Sequence, residues 1–184
     1  MEKVLLTGAT GFVGKELAVK LLEKKYDVHT LERYVTGRYN FGGKSDVTNH
    51  HGSLTDYPAI KHIISDVQPD FVIHLAAISP VSFSYDHYME VTEANYLGTI
   101  NLAEACYREV KNFKQFIFAG TSEEYGMYLQ STKDKLSEDS PLLPNSPYAI
   151  AKVAADIYLR YMHQAYGFPT TVMRPYNTFS TQIN

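Results

Sequence analysis

The segment Thr7-Gly8-Ala9-Thr10-Gly11-Phe12-Val13-Gly14 constrains this chain more than any other. Its glycines, spaced G-x-x-G-x-x-G, follow a short apolar run, Val4-Leu5-Leu6, and precede Val13, Leu17, Leu21 and Leu22 at helical spacing over residues 11–25. An apolar run that short, stopped by a turn, reads as a buried parallel strand. Gly8 permits the tight turn, Gly11 lets the backbone approach a pyrophosphate favoured by the helix N-terminus, and Gly14 lets helix and sheet pack closely. Strand before and helix after supply the context that a bare glycine triplet lacks, so the loop predicts dinucleotide binding.

The same strand-to-helix rhythm continues along the chain. Residues 28–31 read as a second strand, closed by Glu32-Arg33, and residues 48–51, 71–75, 116–119 and 170–173 as four more. Ile60, Ile63, Ile64 and Val67 follow helical spacing until Pro69-Asp70. A long helix is expected over 87–110, with Val91, Gly98, Leu102 and Cys106 on its buried stripe. Another is expected over 147–166, opened by Pro147 in the favoured first-turn position. Residues 34–47 read as loop, and residues 121–146 as a long loop with a charged middle from Lys133 to Asp139. This alternation predicts one α/β domain over 1–184: a doubly wound parallel sheet, Rossmann-like, with helices on both faces and right-handed crossovers.

Composition excludes several function classes. Lys and Arg total 17 against 20 Asp and Glu, a net charge of −3, which leaves no electrostatic footprint for nucleic acid or an anionic membrane. The lone Cys106 excludes an internal disulfide framework and suits a reducing compartment. No apolar run approaches the ~20 residues that span a bilayer, and Met1-Glu2-Lys3 enters a strand without a signal-peptide pattern. A cytoplasmic protein is expected. His50-His51 lacks Cys or carboxylate ligands at metal spacing, so no metal is expected.

Two further groups carry chemistry. Glu32, at the end of the second strand, can accept from a ribose 2′-hydroxyl and repel a 2′-phosphate, which favours NAD. Arg33 and Arg38 are what a 2′-phosphate would want, so NADP stays open. Tyr148 and Lys152 stand at i and i+4, on one side of a helix. A phenol with a pKa of about 10 is a poor base. A fixed lysine charge, with the positive ring of an oxidised nicotinamide, is expected to pull it down by ~3 units.

Taken together, the glycine loop and the Tyr148/Lys152 pair resemble the extended branch of the short-chain dehydrogenase/reductase superfamily, the nucleotide-sugar epimerases and dehydratases. Leu75-Ala76-Ala77, Asn95-Tyr96-Leu97-Gly98-Thr99, the run from Thr121 to Gly126, Ser146-Pro147-Tyr148-Ala149 with Lys152, and Arg174-Pro175-Tyr176-Asn177 match further blocks of that branch in order. The resemblance implies that Tyr148 takes a proton from a sugar hydroxyl, that Lys152 holds the cofactor ribose, and that Thr121 hydrogen-bonds the sugar. It implies cofactor contacts at Gly8, Thr10, Gly11, Phe12, Val13, Gly14, Glu32, Arg33, Ser53, Leu54, Leu75, Ala76, Ala77, Asn95, Tyr148, Lys152 and Pro175. Substrate contacts are implied at Ser79, Ser122 and Asn177, and Pro80-Val81-Ser82-Phe83-Ser84 reads either as sugar-pocket lining or as an ordinary loop.

Within that branch, Thr121-Ser122-Glu123 resembles the 4,6-dehydratases, where a carboxylate removes the C5 proton after oxidation at C4. Glu123 is expected to be that base. The alternatives are a 4-keto reductase, suggested by the doubled Glu123-Glu124, a decarboxylase lacking its usual arginines, a 4-epimerase, or a non-catalytic cofactor-binding module. Ser53 stands where the family has an adenine-binding Asp. The C-terminal substrate-binding part of the family is expected to be largely absent. A homodimer is implied through a four-helix bundle of the helices at 87–110 and 147–166.

Overall fold

Parallel strands cannot be joined by tight turns, so every step across the sheet needs a crossover, and handedness decides which face the crossover covers. The computed structural model describes residues 1–33, 47–133 and 135–177. The order in the chain is β1 (Lys3–Thr7), α1 (Phe12–Glu23), β2 (Asp27–Glu32), β3 (Val47–His51), α2 (Tyr57–Val67) and β4 (Phe71–His74). Then come α3 (Val81–Asp86), α4 (Tyr88–Thr92), a π-helical turn (Glu93–Leu97), α5 (Gly98–Glu109) and β5 (Gln115–Ala119). A 3₁₀ turn (Ser122–Glu124), α6 (Gly126–Ser131), α7 (Pro147–Tyr166) and β6 (Thr170–Met173) complete the described elements.

The six strands are all parallel, in the order β3-β2-β1-β4-β5-β6. From β1 the chain steps to β2 in one direction through α1. From β3 onward it steps in the opposite direction through α2, α5 and α7 in turn. Right-handed crossovers then place α1 on one face and the other three on the opposite face. The two cores follow that division. Val4 and Leu6 point towards Ala18 and Leu21 of α1. Leu5 points the other way, into Ile60, Ile64, Leu102, Leu159 and Met162. Alternate residues of β1 thus fill different cores, which is why its sequence is apolar without alternation. Phe116 and Phe118 of β5 are wholly buried beneath α5 and α7, each contributing about 1.5–3 kcal/mol by leaving water.

Local signals set the helix ends. Ser146 accepts from the Ala149 amide at 3.1 Å before Pro147 opens α7, and Gly167 closes it at φ +68°. Asp56 caps α2 through the Ala59 amide at 3.1 Å.

The structure departs from the sequence expectation in three places. Residues 81–86 are helical, and the helix expected over 87–110 is interrupted: His87 at φ −124° separates α3 from α4. A π turn then separates α4 from α5. The segment 121–146 contains a 3₁₀ turn and α6; Gly126 enters α6 at φ +42°, where a Cβ would strike the Leu143 carbonyl. Of the loop expected over 34–47, residues 34–46 lie outside the described residues and Val47 opens β3.

Gly14 lies in the first turn of α1, where a Cβ would fall on the Gly8 carbonyl oxygen and 2.7 Å from Ala9 Cα, both rigid backbone. Gly14→Ala is therefore expected to destabilise the fold by about 2–3 kcal/mol. A lower urea midpoint at unchanged slope checks this; an unaltered midpoint contradicts the packing described.

Candidate active site

The C-terminal ends of the strands open into a cleft of about 840 Å³. It forms where β1 and β4 lie side by side while their chains leave in opposite directions, the crevice that such sheets offer to ligands. Gly8 sits at φ +73°, and a Cβ there would lie 2.7 Å from the Ala76 amide nitrogen. Gly11 donates to the Gly8 carbonyl at 3.0 Å and closes the turn. Gly8, Thr10, Gly11, Phe12, Val13 and Gly14 all line the cleft. Bare backbone at a helix N-terminus is what an anionic diphosphate needs.

Glu32 lines the same wall and is buried. Thr10 donates to its Oε2 at 3.3 Å, while Oε1 has no hydrogen-bond partner among the described residues. Burial pushes this carboxyl up; the Thr10 hydrogen bond and the His51 charge oppose that. A carboxyl on the cleft wall fits the hydroxyls of an adenosine ribose, and an added phosphate there would meet a carboxylate. Arg33 also lines the cleft; Arg38 lies outside the described residues. Ser53 and Leu54 are in the lining, with the Ser53 hydroxyl held 2.8 Å from Thr55 Oγ1. Leu75, Ala76, Ala77 and Ser79, from the end of β4, form the opposite wall with Pro175.

Tyr148 and Lys152, one turn apart on α7, both reach the cleft and are almost wholly buried. Lys152 Nζ donates to the Ala119 carbonyl at 2.8 Å and stands 4.7 Å from the Phe118 ring centroid. Burial brings its ammonium down to about 8, against the opposing pull of Glu124. The Tyr148 phenol is raised, not lowered. Burial is the main cause, the carboxylates of Glu124 and Glu123 add to it, and a hydrogen bond from Thr121 opposes it. The Lys152 ammonium is turned to the Ala119 carbonyl, and the lowering expected of Tyr148 needs the positive nicotinamide ring beside it as well.

Thr121 caps the 3₁₀ turn. Its Oγ1 accepts from the Glu123 amide at 3.2 Å, and its own amide donates to Glu124 Oε1 at 2.9 Å. Glu124 is fully buried, and its Oε2 accepts from Arg174 Nε at 3.1 Å. Arg174 also donates to Asp156 Oδ2 through Nη2 at 2.6 Å and to the Tyr125 hydroxyl at 3.1 Å. Arg160 Nε stands 2.8 Å from the other Asp156 oxygen, as an ion pair without hydrogen-bond alignment. Burial first, then the adjacent Asp156 carboxyl, pushes Glu124 up to about 8. Glu123 is only half-buried. Ser122 is buried, its amide donating to the Pro175 carbonyl at 2.9 Å, and Asn177 is exposed.

Comparison with known proteins agrees with this geometry. Residues 4–184 match the model of the NAD dependent epimerase/dehydratase family. The chain belongs to that family. It is 36% identical over 174 residues to a GDP-mannose 4,6-dehydratase of Vibrio cholerae, covering 89% of this chain and 46% of the relative. It is 30% identical over 181 residues to a UDP-glucose 4-epimerase of Halalkalibacterium halodurans, covering 98% of this chain and 52% of that one. Among solved structures, Thermus thermophilus UDP-glucose 4-epimerase complexed with NAD superposes with a TM-score of 0.82 at 30% identity. That match covers 94% of this chain and 54% of the other. The chain spans about half the length of the curated relatives it matches.

Of the residues expected at the site, Asn95, Thr121, Ser122, Glu123 and Asn177 are not among those that line the cleft. Asn95 is buried on the π turn, its Oδ1 accepting from the Ile78 amide at 2.8 Å and its Nδ2 donating to the Ile78 carbonyl at 2.9 Å. It therefore holds the wall from behind. Sequence reasoning also missed Glu90 and Glu93, exposed acids at the cleft edge, which no motif marks. Glu124 was legible only as half of a doubled acid, since its partner Arg174 lies 50 residues away.

Glu124 offers a test of this electrostatic picture. A carboxyl raised from 4.5 unfolded to about 8 folded contributes stability that is complete below pH 4.5 and is lost as pH rises through 8. Wild-type stability should thus fall between about pH 5 and pH 8, and Glu124→Gln should flatten the fall by on the order of 1–2 kcal/mol. Lys152 acts in the next window, between about 8 and 10.5. Urea midpoints at the two pH values decide; parallel slopes in both proteins contradict the assignment.

Proposed function

We propose that this chain binds NAD in the cleft and provides the catalytic face of a nucleoside-diphosphate-sugar 4,6-dehydratase. The cofactor reading rests on the bare glycine loop and on Glu32, whose carboxyl lines the same cleft. The dehydratase reading rests on Glu123, a half-buried carboxylate whose charge acts on Tyr148. When bound, NAD supplies a hydride acceptor at its nicotinamide, regenerated when the hydride returns to the sugar at C6.

The residues of the chain do the rest. Thr121, hydrogen-bonded to Tyr148, holds the sugar C4 hydroxyl in line. Tyr148 Oη takes the hydroxyl proton as the C4–H bond breaks. Glu123 takes the C5 proton, acidified by the new C4 carbonyl, and hands it to the C6 hydroxyl, which leaves as water. Burial and the two acids hold Tyr148 as a phenol, so a positive charge entering beside it is what makes it a base. Lys152 fixes α7 to β5 through Ala119 and offers its remaining protons to a ribose.

Exposed apolar side chains on the same helices support a homodimer. Leu97, at the end of the π turn, is 45% exposed, and Ile150, Ile157 and Tyr161 on α7 are 55%, 53% and 47% exposed. Pairing these helices with those of a second copy as a four-helix bundle would cover them. Residence in the cytoplasm is proposed from the single reduced cysteine. No helix among the described residues is long and apolar enough to cross a membrane.

A 4-epimerase is the second reading, favoured by the likeness to the Halalkalibacterium and Thermus enzymes. Variants separate the two. Tyr148→Phe is expected to lower C4 oxidation by about 10²–10⁴-fold under either. Glu123→Gln should leave C4 oxidation standing but lower solvent deuterium uptake at C5, and release of a 4-keto-6-deoxy product, by about 10²-fold or more. Full activity in Glu123→Gln, with only a C4 epimer formed, would replace the dehydratase reading with the epimerase.

A further inference from the structure

Behind the β4 wall of the cleft lies a closed circuit of buried hydrogen bonds. The Ala76 amide donates to Thr7 Oγ1 at 3.1 Å. Thr7 Oγ1 lies 2.7 Å from His74 Nδ1, and His74 Nε2 lies 2.9 Å from Thr99 Oγ1. The Thr99 hydroxyl donates to the Asn95 carbonyl at 2.7 Å. The Asn95 side chain then grips both the amide and the carbonyl of Ile78. The circuit thus begins at Ala76 and ends at Ile78, two residues apart on the cleft wall. Thr7, His74, Asn95 and Thr99 are all at most 1% exposed.

Proton counting assigns every bond. Thr99 has one hydroxyl proton, and the Asn95 carbonyl takes it, so Thr99 can only accept from His74. His74 therefore carries its proton on Nε2, and its Nδ1 is a lone pair. The Thr7 hydroxyl must donate to that lone pair, which leaves the Thr7 oxygen free to accept from Ala76. We propose that His74, as the neutral Nε2–H tautomer, is a positioning residue that clamps the cofactor wall from Ala76 to Ile78 through Thr7, Thr99 and Asn95.

The opposite tautomer would set two acceptors against each other at Nε2 and make the Thr7 hydroxyl proton turn away from Nδ1. An imidazolium would have to turn the Thr7 hydroxyl away inside the buried core. Phe116 and Phe118 pack on the ring at centroid distances of 6.0 and 5.7 Å, and the Lys152 charge also opposes protonation. Burial, with that charge, holds the imidazole down at about 3. The clamp matters to the cleft because Ala76 is the backbone against which Gly8 closes. A shift of Ala76 changes the gap between the glycine loop and the far wall.

The effect on affinity rests on the cofactor reading; the circuit does not. Imidazole ¹⁵N shifts of the NAD-free chain should report an Nε2–H tautomer that does not titrate from about pH 5 to about pH 9. Thr99→Val, a substitution outside the cleft, should speed amide exchange at Ala76 and Ile78. It should also weaken NAD binding by calorimetry about tenfold, with Thr99→Ser restoring both. An Nδ1–H signal, titration inside that range, or a folded Thr99→Val with wild-type exchange and affinity overturns the clamp. If Thr99→Val does not fold, the ¹⁵N signal of the wild-type chain decides alone. Failure of the wild-type chain to bind NAD overturns the cofactor reading, and the shifts and exchange still judge the circuit.

Discussion

The approach of Gly8 to the Ala76 backbone is the contact on which the site depends. A strand order that reverses between β1 and β4 leaves a crevice at their carboxyl ends. Whether the crevice becomes a nucleotide cleft depends on how near the first turn lies to the neighbouring strand. With a Cβ on Gly8 only 2.7 Å from the Ala76 amide, no side chain fits there, and the loop presents backbone alone. Gly14 then lets α1 start directly above the turn, so its unpaired amides face the same space. The topology, the turn and the helix start thus converge on one volume.

Several groups in that volume are held in states that oppose folding. Lys152 is a buried ammonium set against the Ala119 carbonyl and the Phe118 ring, drawn down to about 8. Glu32 is a buried carboxyl with one oxygen unsatisfied among the described residues. Burial of such groups costs on the order of 1–3 kcal/mol each. The aromatic layer of Phe116, Phe118 and Phe168 under α7 offsets these costs from the same side of the sheet. The strain is concentrated where a ligand with hydroxyls and a positive ring would relieve it, as functional sites commonly arrange.

Strands and main helices were legible because their signals are local. Val4-Leu5-Leu6 and Phe71-Val72-Ile73 are apolar on both faces, and Pro147 with Ser146 marks a helix start within two residues. The π turn was hidden because the residues 87–110 satisfy an ordinary helical period. What adds the extra residue is a tertiary demand, the Asn95 amide reaching the Ile78 backbone. The partner of Lys152 was hidden for a similar reason. The spacing of Tyr148 to Lys152 is local and visible, but the Ala119 carbonyl that takes the lysine is 33 residues distant. The glycine loop, by contrast, carries its whole geometry in eight consecutive residues, and all of its expected contacts line the cleft.

The doubled acid shows how one turn divides labour between identical side chains. A 3₁₀ turn advances about 120° per residue, so Glu123 and Glu124 leave it in different directions. Glu124 enters the core, where the Thr121 amide and Arg174 occupy its oxygens, and burial, then Asp156, pushes its carboxyl up. That occupation fixes Thr121 as the cap of the turn. Glu123, half-buried on the other side, keeps a charge that Tyr148 feels. A carboxyl with its lone pairs filled by the fold is a poor base for a substrate. Of the two acids, Glu123 is the more exposed, and the turn that presents it is built by its neighbour.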